Sequence, residues 1–291
     1  MAHPNDPAAP AAPAPERQAT FKSAVSTSGI ALHTGNRVKL TLKPAVAGSG
    51  IRFRRTDLPG SPEIQAHVRN VTDTRRGTTI QENGAAVHTV EHLLAAMNAL
   101  GLDNAVVEMA GAEPPVGDGS AQLFVDLIRE AGIVEQDVPR EFITLDRPYW
   151  YSQGETHVVA LPDSVFRISC TVKYNATILD TQYLSLVLDE KSFIEQLQLA
   201  RTFCLFHEIE YLIKNNLIRG GSLDNAVVIK GDAILSKDGL RYPDEFVRHK
   251  MLDMAGDFFL LGKRLKAHLI GIKPGHPANV ELARRIAGLV A

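Results

Sequence analysis

Cysteine is scarce in this chain: 291 residues hold two, Cys170 and Cys204, in unrelated contexts. Two such thiols build neither a disulfide framework nor a CxxC metal site, which fits a reducing compartment. An excess of one charge is also lacking, because Lys+Arg number 31 against 33 Asp+Glu, for a formal net charge of −2. A long polyanion such as nucleic acid is therefore not an expected partner, although a local basic patch can still serve a small phosphate. No apolar run reaches the ~18 residues that a spanning helix needs, so stable membrane insertion is not expected. The start, MAHPNDPAAPAAPAPERQAT, has neither a charged opening nor a continuous apolar stretch, and is a poor secretory signal. Its proline and alanine density predicts an extended tail over residues 1–19, and a cytoplasmic location is expected.

What is present is an ordinary globular composition, 45% hydrophobic and 22% charged. Val38, Leu40 and Leu42 alternate with polar neighbours, the period of a half-buried strand. GIRFRR predicts a partner strand. HTVEHLLAAMNALG has the first helical spacing, with Gly101 as terminator; NAVVEMAG reads as a strand, and SAQLFVDLIREAG as a second helix between Ser120 and Gly132. Near residue 140 the pattern restarts with the strand-like FITLDRPYWYS, THVVALP and VFRISCTVKY. Ser192 and Glu195 have the capping-box spacing, and HEIEYLIKNN predicts a further helix. Pro243-Asp244 opens a long helix read from EFVRHKMLDMAGDFFLLGKRL, and PGHPANVELARRIAGL is a loop running into a final helix. The class is α+β in two consecutive domains of comparable size, 20–138 and 139–291. Identity between the two blocks is too low to show a repeat from letters alone.

Few residues carry chemistry. His249 and Asp253 in RHKMLDMAGD are four apart and share one helical face, with Asp257 one turn further. Imidazole and carboxylate at that spacing can hold one divalent ion, yet an isolated HxxxD is more economically a solvated pair. Glu91-His92 suits a division of labour, His92 as ligand and Glu91 as general base, but alone it too reads as exposed surface. His88, one turn earlier, is a further ligand or, more economically, a surface residue near the helix start. The His276 of KPGHPAN lies between glycine and proline ahead of a helix, as a solvent-facing loop residue or as a positioned acid. GDGS at Gly117–Ser120 is explained by a turn and a helix cap. There is no HExxH, no GxSxG and no Walker-type glycine loop, which argues against zincin peptidases, serine hydrolases and P-loop enzymes.

Taken in order, SGIALHTG, LTLKPA, TVEHLLAA, GLDNAVVE with PPVGDGS, ARTF, EIEYL, GGSLDNAVV, VRHKMLDMAGD and KPGHPAN resemble the UDP-3-O-acyl-N-acetylglucosamine deacetylase family from about Phe21 onward. The resemblance implies a zinc-dependent amidohydrolase of lipid A biosynthesis that removes the acetyl group of a UDP-sugar bearing an acyl chain. It implies one Zn2+ per chain on His92, His249 and Asp253, with iron(II) compatible with the same donors. Glu91 resembles the base, Thr202 the hydroxyl that helps hold the oxyanion, His276 the cationic acid and Asp257 its orienting partner. Lys250 and Lys273 match positions facing the sugar and diphosphate, and Tyr174 is expected to stack on the uracil ring. The resemblance implies a fold of two domains, each a small, mostly antiparallel sheet layered on two helices, with the helices of the two domains packed on one another around the site, and an insert in the second domain that forms an apolar passage for the acyl chain. Where the family commonly has Phe-Asn-His-Pro, this chain has Tyr174-Asn175-Ala176-Thr177, a departure that bears on acyl-chain preference. A monomer is expected. Two other readings compete: a zinc amidase acting on another N-acyl sugar or a peptide, and a catalytically silent nucleotide-sugar-binding protein.

Overall fold

A computed structural model describes residues 16–174 and 181–288. The first half contains β1 (Arg17–Phe21), β2 (Val25–Ile30), β3 (Arg37–Pro44), β4 (Ile51–Arg55), β5 (Glu63–Gln65), β6 (Val71–Asp73), β7 (Thr79–Glu82), β8 (Ala85–Val87), α1 (Glu91–Ala99), β9 (Ala105–Ala110), α2 (Gln122–Ala131) and β10 (Ile133–Pro139). The second half contains β11 (Phe142–Thr144), β12 (Tyr149–Gln153), β13 (Thr156–Pro162), β14 (Phe166–Val172), β15 (Gln182–Val187), α3 (Glu190–Gln196), β16 (Phe203–Leu205), α4 (Phe206–Lys214), β17 (Val227–Lys230), β18 (Ala233–Leu235), α5 (Glu245–Phe259), β19 (Arg264–Ile272) and α6 (His276–Ile286). The α+β expectation holds.

The two halves share a topology that their letters conceal. The first sheet runs β2-β3-β9-β4-β5 and the second β12-β13-β19-β14-β15. In both, two antiparallel hairpins flank a late strand that pairs antiparallel with one hairpin and parallel with the other. In both, one helix precedes that central strand and one follows it, α1 and α2 in the first, α5 and α6 in the second. The second domain carries an addition between β15 and α5: α3, α4 and a small β16-β17-β18 sheet.

The sheets turn their helices toward each other, and α1 and α5 make the most extensive contact between any two elements. Every residue of α1 is buried. The helix α5 is buried nearly all round as well, so Val247, Met251, Met254 and Phe258 are one apolar side of a helix whose His-Asp-Asp side is equally enclosed. The close approach depends on Gly256, where an added Cβ would sit 2.0 Å from the Glu91 carbonyl oxygen. Asn98 Nδ2 donates to Ala255 O across the same seam at 3.0 Å. No helix among the described residues is long and apolar enough to cross a membrane.

Several elements differ from the sequence reading. Arg17, Gln18 and Ala19, left outside the fold by that reading, form most of β1, which pairs antiparallel with β10. The long helix stops at Phe259 rather than running through Lys263-Arg264-Leu265, because Gly262 takes φ +78° and the chain turns into β19. That strand was missed, although Leu265, Ala267, Leu269 and Gly271 alternate inward in perfect period two. The capping box of α3 is one turn earlier than expected: Asp189 caps, and Ser192 is its reciprocal partner rather than the cap. The motif HTVEHLLAA becomes helical only at Glu91, with Thr89 in the left-handed region at φ +54°.

Candidate metal centre

Two helices from different domains supply the centre. Glu91 and His92 are the first two residues of α1, and His249, Asp253 and Asp257 descend one face of α5. His276 begins α6, directly after its Gly275 cap, rather than ending a loop. The side chains expected in solvent by the bland reading are all enclosed: Glu91, His92, His249, Asp253, Asp257 and His276 are each less than a tenth exposed.

His92, His249 and Asp253 converge so that one donor atom from each lies within 4.8 Å of the others. His92 Nε2 is 3.5 Å and His249 Nε2 3.4 Å from Asp253 Oδ1. Ligands about 2.0–2.2 Å from a tetrahedral zinc lie about 3.3 Å apart, so the spacing fits such an ion. Asp253 Oδ1 is buried with no hydrogen-bond partner among the described residues, whereas Oδ2 accepts from Lys250 Nζ at 2.7 Å. A buried carboxylate oxygen left bare between two imidazoles is costly unless a cation meets it.

The protonation states agree with that use. His249 Nδ1 is 3.0 Å from Ala200 O and must carry the hydrogen, since a carbonyl only accepts; Nε2 keeps its lone pair toward Asp253. Burial lowers the His249 pKa to about 4, so the ring is neutral at neutral pH. Burial alone would raise the Asp253 carboxyl, but His249, Lys250 and the nearby His92 ring hold it well below its usual range. Burial likewise lowers Lys250, yet the Asp253 charge prevails and leaves the ammonium raised.

On the same cleft, Glu91 accepts from the Thr78 backbone N–H through Oε2 at 2.9 Å, and its Oε1 is 3.7 Å from His276 Nε2. Burial lifts the Glu91 pKa above the ordinary carboxylate value, against the pull of His276 and His92. His276 is also desolvated, which favours the neutral ring, but Asp257 and then Glu91 reverse this and raise it to about 10. Asp257 Oδ2 accepts from His276 Nδ1 and Asn279 Nδ2, each at 2.9 Å, and Oδ1 accepts from Thr78 Oγ1 at 2.6 Å. A neutral histidine of the candidate donor set and a charged histidine thus stand in one pocket, separated by their neighbours' charges.

The cleft measures about 560 Å3 and its walls include Thr202, Phe203, Arg76 and Lys250 as well as the metal-facing residues. A second cavity of about 290 Å3, walled by Ile209, Leu212, Ile213, Ile218 and Val228, shares Leu32, Arg76, Thr202 and Phe203 with it. Apart from Leu32, its apolar walls come from the elements added between β15 and α5 and the loops that join them. Tyr174 packs edge-on against Phe203, with ring centroids 5.6 Å apart, one layer behind the cleft wall. Lys273 is not among the cleft residues: its Nζ pairs with Glu155 at 2.7 Å. His88 is half-buried beside Thr79 Oγ1 at 3.0 Å, apart from the metal-facing donors. Asn175, Ala176 and Thr177, where the sequence departs from the family pattern, lie outside the described residues.

Thr78, Asn279, Ala200 and Phe203 were not foreseen. Thr78 holds Glu91 and Asp257 at once, yet stands 13 residues from one and 179 from the other, and no local pattern marks it.

Comparison with known proteins places this geometry in a family. The family model described as UDP-3-O-acyl N-acetylglycosamine deacetylase matches residues 18–288. The UDP-3-O-acyl-N-acetylglucosamine deacetylase of Pseudomonas entomophila is 44% identical over 272 residues, covering 93% of this chain and 90% of the relative. That of Teredinibacter turnerae is 43% identical with the same coverage, and that of Saccharophagus degradans 44% identical over 90% of this chain and 88% of its own. The matched span runs across both sheets and both seam helices, and the chain belongs to the UDP-3-O-acyl N-acetylglycosamine deacetylase family.

Proposed function

We propose that this protein hydrolyses the N-acetyl group of UDP-3-O-[(3R)-3-hydroxyacyl]-N-acetylglucosamine to the free amine and acetate, the committed step of lipid A biosynthesis. The observation that carries the reading is the bare Asp253 Oδ1 between two imidazoles, with Glu91 and His276 beside it. His92, His249 and Asp253 would hold a zinc ion, which would supply Lewis acidity toward the acetamide carbonyl and toward water, whose pKa it would lower to about 7. Iron(II) satisfies the same donors.

Glu91 takes the proton of the attacking water; its raised pKa suits a group that must accept and then release a proton near neutrality. The Thr202 hydroxyl donates to the developing oxyanion from the cleft wall. His276, kept cationic by Asp257, steadies the same charge and gives its proton to the leaving nitrogen. Lys250 faces the sugar, and the apolar cavity sharing Thr202 and Phe203 with the cleft takes the acyl chain. Tyr174 backs Phe203 and acts on the uracil end through that ring; Lys273 reaches the diphosphate by leaving Glu155. All of these groups come from one chain, so a monomer suffices, and the free thiols of Cys170 and Cys204 fit the cytoplasm.

The test is acetate release from the UDP-sugar by purified protein, lost on chelation and restored by zinc. A folded, zinc-loaded sample inactive on every acyl-chain length defeats the proposal. Equal turnover of substrates lacking the UDP group or the 3-O-acyl chain points instead to a general N-acyl-sugar amidase.

A further inference from the structure

Three consecutive residues beside the start of α5 are each tied by a separate set of bonds. Ala200 O accepts from His249 Nδ1. Arg201 grips Glu245, the first residue of α5: its backbone N–H and Nε donate to Oε1 at 3.0 and 2.8 Å, and a terminal nitrogen donates to Oε2 at 3.1 Å. The Thr202 N–H donates to Gly119 O at 2.8 Å, and Thr202 O accepts from the Val227 N–H at 2.9 Å. Gly119 belongs to the Gly117–Ser120 turn, to which the sequence assigned no chemistry. It has φ +85°, and a Cβ there would lie 1.9 Å from Asn225 O, so only glycine allows this docking. Asp118 of the same turn pairs with Arg241 at 2.6 Å, and the Arg241 N–H returns to Glu245 Oε2 at 2.7 Å. The circuit closes between the two domains.

Arg201 is 1% exposed and Glu245 0%. A buried ion pair is rarely the most stable filling for such a space, since apolar residues of like volume serve as well or better. What the pair offers is geometry: three Arg201 donors, joined by the Arg241 N–H, on two Glu245 oxygens fix the fork in one register. Ala200 and Thr202 flank Arg201, so the register set at Glu245 is handed to both. We propose that the Arg201–Glu245 pair, with the Gly117–Ser120 turn as its stop on the first domain, is a positioning device that seats the Thr202 hydroxyl on the cleft wall and the Ala200 carbonyl against His249. The pair touches no substrate and acts through its neighbours; the inference rests on the role given to Thr202 above.

The experiment is a double-mutant cycle between the pair and Thr202. Thr202→Ala should lower kcat about 100-fold, as loss of one oxyanion donor does. Arg201→Met with Glu245→Leu should fold, keep one zinc per chain, hold KM within about threefold and lower kcat about 30- to 100-fold, the cost of roughly 1 Å of misplacement. Combined, the losses should not multiply: the triple variant should fall within about threefold of Thr202→Ala. Multiplying losses, or wild-type kcat in the pair variant, overturn the proposal. Should the apolar pair fail to fold, Arg201→Lys takes its place in the cycle, with a kcat loss of about tenfold that is likewise absent in the Thr202→Ala background. A readout free of turnover is the ring 15N shift of His249 in metal-free protein: one Nδ1–H tautomer in the wild type, a mixture in either pair variant. An unchanged single tautomer overturns the Ala200 half. Failure of the wild type to release acetate would sink the deacetylase reading alone, because the ring shifts still decide the positioning.

Discussion

Replacing Asp257 by asparagine isolates the charge that keeps His276 protonated. The two groups are 2.9 Å apart and Asp257 is fully buried. Unit charges about 4 Å apart, centre to centre, interact by about 4 kcal/mol at an effective dielectric of about 20, or roughly three pKa units. His276, raised to about 10 from the ordinary 6.5, should therefore titrate near 7 in the variant. At pH 8 only about a tenth of the rings would be charged, so Asp257→Asn should lose about tenfold in kcat from protonation alone. At pH 6 most rings stay charged and the ratio of variant to wild type should approach that set by geometry. The alkaline limb of the pH–rate profile should move down by about three pH units. Stability follows with the same sign: a folded-state pKa above the unfolded value stabilises fully below about 6.5 and is lost as pH rises toward about 10. The variant should thus be more destabilised relative to wild type at pH 6 than at pH 10. An alkaline limb unmoved by the substitution would refute the pairing of Asp257 with His276 as the source of the charge.

Glu91→Gln removes the base but keeps the bond from the Thr78 N–H; kcat should drop about 10²- to 10⁴-fold with zinc content unchanged, checked by metal analysis beside acetate release. Gly256→Ala drives a methyl into the Glu91 carbonyl, and thermal denaturation should reveal a loss above about 3 kcal/mol, or no soluble protein. Stripping the ion should lower the melting temperature and zinc restore it, by about 4 kcal/mol at a thousandfold excess over Kd, since Asp253 Oδ1 has no other partner among the described residues. Lys273→Ala should raise KM less than Lys250→Ala, because Lys273 is held by Glu155 away from the cleft and Lys250 lines it.

Local chemistry was legible where periodicity carried it. The four-residue steps His249, Asp253 and Asp257 put three donors on one face of α5 before any fold was known. Strands β3, β13 and β14 were visible through alternation or β-branched runs. Strand β19 carried an equally clean alternation, but LLGKRL follows α5 so closely that the helical pattern was read across Gly262. At α3 both Asp189-x-x-Ser192 and Ser192-x-x-Glu195 satisfy a capping box, and only the chain path selects the former. Convergence was beyond local patterns: His92 and Asp253 are 161 positions apart, and their 3.5 Å approach depends on Gly256 admitting α1 to the surface of α5. For the same reason Thr78 and Ala200, whose partners are tertiary, left no trace in their own segments.

The late arrival of β19 orders events on the ribosome. The two hairpins it must join are synthesised long before it, and until it emerges they have no common neighbour to align them. His92, His249 and Asp253 all precede β19 in the chain, yet the platform beneath α5 lacks its middle plank until that strand is in place. Occupation of the candidate centre should consequently wait for β19, and a chain cut near Gly262 should carry His92, His249 and Asp253 and retain no ion.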